Sequence, residues 1–159
     1  MSTIERHEVD TTAIIDTLNQ CIEICIDGEK GYAAAASDVH NLQLKSLFYD
    51  ESKQRGGFAE ALQAILRKLG ATPTNEGTAK GKLHRGWMSV RGVTERGSDR
   101  AIVDEWIRGE RAAVRGYGDA LERTPLSMLP ADIRGVLQVQ YTEIREALGV
   151  ALRQRELAS

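Results

Sequence analysis

Apolar residues recur along this chain in steps of three and four. The first stripe runs Ile14, Leu18, Cys21, Ile22, Cys25, Tyr32, Ala33, Ala36, the period of a helix that buries one face. It predicts a helix from about Thr11 to about Asp38, with Asp10 or Thr11 as N-cap. A short connection, Val39-His40-Asn41, leads to a second helix that Asn41 caps and that ends at Leu69. Its stripe is Leu44, Phe48, Glu51, Arg55, Phe58, Leu62, Ile65, Leu69, which is the seam of a bundle. Gly70 closes it and Pro73 prevents continuation.

The polar stretch from Ala71 to Gly81 reads as a crossover between two helical hairpins. A third helix is predicted from about Thr78 to Arg96, broken at Gly97-Ser98. Ser98 or Asp99 caps a fourth, which runs to about Arg123 on the stripe Ile102, Trp106, Glu110, Ala113, Tyr117, Leu121. After TPLSMLP a fifth helix spans about Ala131 to Leu157, with Ile133, Leu137, Tyr141, Ile144, Leu148 and Leu152 on one side. No alternating β-branched run competes with these helices. The expected fold is all-α: a ferritin-like up-down four-helix bundle of two antiparallel hairpins joined by a crossover, plus a C-terminal fifth helix. The whole chain is expected to form one domain, with core bundle about 11–123 and C-terminal helix about 131–157. Gly28, Gly31, Gly109 and Gly116 cost helix propensity, which close approach of helix backbones would explain.

Composition narrows the function classes. The chain has 159 residues and a formal net charge of -2, with acidic and basic residues interspersed. No basic tract points to nucleic acid, and no long uncharged apolar run points to a membrane. The start MSTIERHEVD lacks the apolar core of a signal peptide, so a cytoplasmic location is expected. Cys21 and Cys25 share a helix face and suit a disulfide poorly. They read as two small buried apolar groups, with a redox or soft-metal pair as the alternative. No Ser/His/Asp order, phosphate loop or dinucleotide fingerprint occurs.

The chemistry lies in polar residues at core positions. Glu29 follows Cys25 by four in the first stripe, Glu51 and Arg55 sit in the second seam, and Glu110 sits in the fourth. His84 lies on a broad face with Leu83, Trp87 and Met88. With a turn centred near 40, Glu29 and Glu51 are each 11 residues away; with one near 97, His84 and Glu110 are each 13 away. Burying a bare carboxylate costs several kcal/mol unless it is paired or coordinated. Protonation would also relieve that cost, and a helix-edge or solvent-facing placement of some of these residues would remove it; two further solutions stand side by side. Glu29, Glu51, His84 and Glu110 would hold one iron, manganese or zinc ion, or Arg55 and Arg85 would neutralise the carboxylates in a buried ionic network.

The segments DGEKGYAAAASDV, LKSLFYDESKQRGGFAEALQ, KLHRGWM and RGERAAVRGY, spread over about residues 11–121, resemble a bacterial family of uncharacterised ferritin-like four-helix-bundle proteins. The resemblance implies the bundle fold and no established activity. Di-iron carboxylate bundles use a lone Glu on two helices and Glu-x-x-His on the other two. Here Glu51 is followed by Gln54 and Glu110 by Ala113, so both histidines are absent. That leaves a metal-binding bundle or a non-catalytic, stress-related structural or interaction bundle. Self-association as a dimer is expected through helix faces that include the C-terminal helix.

Overall fold

The computed structural model describes residues 3–78, 81 and 98–157, with side chains described from Thr11 onward. The predicted third helix, with His84, Arg85 and Trp87, lies outside them. Among the described residues there are four long helices and no strand: α1 (Thr3–Asp38), α2 (Leu42–Lys68), α3 (Asp99–Arg123) and α4 (Ala131–Leu157), with a 3-10 turn at Leu126–Met128.

Local chemistry sets the ends. Asn41 Oδ1 accepts the Leu44 N–H at 3.0 Å, and Ser98 Oγ accepts the Ala101 N–H at 3.2 Å, so each side chain takes a donor that its first turn leaves free. α2 closes on Gly70 at φ 81°. There Gly70 N–H bonds the Arg67 carbonyl and Ala71 N–H the Leu66 carbonyl, a Schellman ending that needs a left-handed residue.

Contacts give the helix directions. Ala36 meets Lys45 and Glu29 meets Ser52, so α1 and α2 are antiparallel. Tyr32 meets Glu110 and Thr17 meets Thr124, so α1 and α3 are antiparallel too. Gln140 meets Tyr117 of α3 and Phe58 of α2, while Arg155 near the other end of α4 meets Asp104. Hence α2 and α3 run parallel on one diagonal. The end of α2 and the start of α3 therefore lie at opposite ends of the bundle, about 40 Å apart for a helix the length of α2. Past Gly70 the described chain runs back along α1: Thr74 N–H binds Asn19, and Thr78 binds Asp27. Four residues thus pass eight helical ones, the pace of extended chain at roughly 3 Å per residue. The second hairpin of the described bundle is therefore α3 with α4.

The core forms two linked clusters. One packs Leu18, Ile22, Leu62, Leu66, Tyr117, Leu137 and Ile144; the other packs Tyr32, Phe48, Val103, Trp106 and Ala151. α4 contributes Ile133, Leu137, Gln140, Ile144, Ala147 and Ala151 to the interior, so its apolar side is spent inside its own chain and it is the fourth wall. Of the four glycines singled out in the sequence, Gly28 and Gly116 face close neighbours, whereas an added Cβ at Gly31 or Gly109 would meet open space.

Candidate functional site

Between the two clusters sits an ion pair. Arg55, on the inward stripe of α2 between Phe48 and Leu62, is 0% exposed, and Glu110 of α3 is 3% exposed. Arg55 Nη2 donates to both Glu110 oxygens at 2.9 Å. The guanidinium fits because Gly28 lies opposite: a Cβ there would stand 3.1 Å from Nη1 and 3.2 Å from Cγ. Tyr32 of α1 donates to Glu110 Oε1 at 2.5 Å, and Trp106 Nε1 donates to Tyr32 Oη at 2.8 Å. The Arg55 guanidinium also lies 5.5 Å from the centre of the Tyr32 ring, a favourable cation–π distance. Phe48 meets Trp106 edge-on at 5.0 Å and closes the site apolar.

The electrostatics favour a charged guanidinium and a neutral phenol. Burial works against the Arg55 cation, but Glu110 and then Tyr32 outweigh it and hold its pKa above the ordinary value. Burial, then the Glu110 carboxylate, push Tyr32 far up, so it stays a donor. Glu51, half-buried one turn from Arg55, is raised by burial; Arg55 opposes this, while Glu110 and Glu143 add to it. Among the described residues, Glu51 Oε2, Arg55 Nε and Arg55 Nη1 have no hydrogen-bond partner.

A second polar chain crosses the bundle nearby. Tyr117 donates to Gln140 Oε1 at 2.8 Å, and Gln140 Nε2 donates to the Phe58 carbonyl at 3.3 Å. Since the phenol proton goes to Gln140, the Cys25 thiol, 3.0 Å from Tyr117 Oη, is the donor in that contact. Cys21 and Cys25 are free and buried. Burial pushes the Cys25 thiol up to about 11 and Cys21 higher still, so both stay protonated and inert.

The structure brings Glu51, Arg55 and Glu110 together and leaves Glu29 apart. The Ser52 hydroxyl binds the Glu29 carbonyl, so Glu29 has the height that the turn count gave. Its side chain, however, is exposed and lies over Gly56, in a shallow surface depression with Ser52, Lys53 and Glu60. The inward phase between Cys25 and Tyr32 belongs to Gly28, one residue away, and that shift turns Glu29 outward. His84 and Arg85 lie outside the described residues. Tyr32, Trp106 and Gln140 join the polar centre; the apolar stripes that hold Tyr32 and Trp106 gave no sign of their polar ends. Gln140 had a signal, since it falls three and four residues from Leu137 and Ile144 in the α4 stripe.

These residues do not fit a di-iron centre. A guanidinium already binds both Glu110 oxygens, and a metal ion there would meet a fixed positive charge in a low-dielectric core. Glu29 would have to leave the exposed edge of the α1–α2 seam, where it lies over Gly56. Among the described residues no three metal-ligating side chains converge.

Residues 13–123 match the family described as domain of unknown function (DUF2383). Among solved structures, the chain is similar to a ferritin-like, diiron-carboxylate protein from Bacillus anthracis str. Ames. The TM-score is 0.69 at 19% identity, over 98% of this chain and 99% of that one. It is also similar to a conserved hypothetical protein, rv2844, from Mycobacterium tuberculosis, with TM-score 0.70 at 15% identity, over 92% and 93% of the two chains. No curated protein matches it. At these identities the solved structures establish the ferritin-like fold.

Proposed function

The chain belongs to the DUF2383 family, and we propose that this member is a metal-independent ferritin-like bundle that works by binding a partner and not by catalysis. One observation carries the reading: the Arg55 guanidinium sits on Glu110 at 2.9 Å, buried at the level where the bundle's carboxylates meet. The cation that such a core requires is supplied by the chain itself. The buried Tyr32 hydroxyl, itself held by the Trp106 N–H, then holds Glu110 in place, which rigidifies the centre and leaves the outer helix faces as the working surface.

The test is elemental analysis of tag-free protein, as purified and after anaerobic Fe(II) addition followed by gel filtration. The expected result is no stoichiometric iron, manganese or zinc in fully folded protein. Retention of an ion at one or two per chain, lost in Glu110→Gln, overturns the reading.

A second reading keeps one iron, manganese or zinc ion. The buried Oε2 of Glu51, which has no hydrogen-bond partner among the described residues, favours it, as does the description of the Bacillus anthracis neighbour as a diiron-carboxylate protein. It requires ligands beyond Glu51 and Glu110, and Glu29 is not placed to be one. Glu51→Gln abolishing metal retention while the fold persists is the result that this reading demands.

A further inference from the structure

We infer that the outer groove between α3 and α4 is a docking surface for an acidic amphipathic helix of a partner protein, an inference that rests on the partner-binding reading above. The groove is an open depression of about 460 Å³ lined by Asp104, Ile107, Arg108, Arg111, Arg115 and Arg155. Four guanidiniums thus face one carboxylate, on a chain whose net charge is -2. That carboxylate is taken, because Arg155 pairs with Asp104. Arg108 reaches Glu105 only at 3.7 Å with its side chain 65% exposed, a contact that water screens. Arg111 and Arg115 are exposed, and among the described residues neither has an ion-pair partner.

The spacing favours a helical ligand. Residues 108, 111 and 115 follow i, i+3, i+7, so they form one stripe about 10 Å long. Like charges at this spacing repel along a helix, and nothing else in the groove offsets that. A partner helix with carboxylates at the same spacing would meet each guanidinium in turn, and Arg binds carboxylates in a bidentate fork. Ile107 at the floor offers an apolar contact to the face between. A compact phosphate site draws on free backbone N–H groups at a helix start. Here all three arginines lie within α3, past its first turn, where the N–H groups are spent on the helix.

The experiment uses the full chain and a labelled helical peptide with glutamates at i, i+3 and i+7 and leucines between them. A matched peptide carries lysines for the glutamates. Fluorescence anisotropy at low salt should show binding of the acidic peptide alone, weakening as ionic strength rises past about 0.1 M, where exposed charges are screened within about 10 Å. Arg111→Glu with Arg115→Glu should lose at least roughly tenfold in affinity, about one decade per 1.4 kcal/mol. Arg111→Lys with Arg115→Lys should retain partial binding. Unchanged melting temperatures show that each variant is folded. The inference is overturned by equal binding to the charge-reversed protein, or by no acidic-peptide binding to wild type. It is also overturned if polyuridylate or inorganic polyphosphate binds more tightly than the peptide, or if the groove proves to hold a second copy of this chain. Iron-loaded protein that still binds the peptide would sink the metal-free reading alone. Metal-free protein that ignores the peptide would sink the groove alone.

Discussion

Replacing Arg55 by methionine removes the cation while keeping an unbranched stem beside Gly28. Among the described residues Glu110, 3% exposed, then keeps only the Tyr32 hydroxyl as a partner for its charge. Breaking one side of a buried pair costs about 3–5 kcal/mol, because the remaining charge is uncompensated. For a chain of this size each kcal/mol moves the melting temperature by about 2–4 °C, so the drop should reach roughly 6–20 °C. Glu110→Gln strands Arg55 and should cost a similar amount. The double variant Arg55→Met, Glu110→Gln removes both charges and still leaves an amide oxygen to accept from Tyr32. Without that acceptor the buried phenol would cost about 1–3 kcal/mol. The double variant should therefore recover to within about 2 kcal/mol of wild type, as replaced buried pairs do. Urea unfolding at pH 7, followed by circular dichroism with unchanged m-values, gives the three differences and their coupling. Single losses below about 1 kcal/mol, or a double variant equal to the sum of the singles, would refute a desolvated pair.

Glu51→Gln should raise the melting temperature at pH 7. Burial first, then Glu110 and Glu143 against the opposing Arg55, hold the Glu51 carboxyl above its ordinary range; the native state binds this proton more tightly, so stability falls as pH rises through the raised value. The gain should vanish below about pH 4, where the carboxyl is protonated in both states, and a loss at pH 7 would show that ionised Glu51 supports Arg55. Gly31→Ala, with open space at the new methyl, should stabilise by about 1 kcal/mol through helix propensity. Gly28→Ala gains the same propensity against contacts of 3.1 and 3.2 Å to Arg55, so its net effect should be nil or negative, and equal gains at both sites would show that Arg55 is free to move. Cys21 and Cys25 should resist Ellman's reagent in native protein and react together on unfolding; rapid labelling of either would contradict their burial.

The fold was legible because its signals repeat. The seam of α2 alternates steps of four and three across its length, and Asn41, Ser98 and Gly70 punctuate the helices through local chemistry alone. The path of the chain was less so. The crossover begins as expected near Ala71, but its extent depends on α2 and α3 being parallel, and direction is a tertiary fact that no periodicity carries. The C-terminal helix shows the same limit. Its apolar stripe predicts a helix but not its partners, while Gln140 in that stripe reaches Tyr117 and Phe58. Glu29 was misplaced because glycine has no hydropathy signal: Gly28 holds the inward position for the sake of a side chain on another helix.

The polar centre also explains how so regular a seam keeps one register. Apolar stripes of period near 3.6 permit slippage by a turn, since leucine and alanine layers substitute for one another at modest cost. The link Trp106–Tyr32–Glu110–Arg55 joins α3, α1 and α2 at one height. The link Cys25–Tyr117–Gln140–Phe58 joins α1, α3, α4 and α2 about two turns away. Slipping α2 or α3 by one turn would leave Arg55 and Glu110 buried and unpaired, at several kcal/mol, and slipping α1 or α4 would break the hydrogen bonds of Tyr32 or Gln140. The apolar stripes therefore determine that the helices pack, and the two buried polar chains determine which residues face one another. In this bundle the Arg55 guanidinium ties α2 to α3 at their centre from within the chain, and the tie forms with the fold itself.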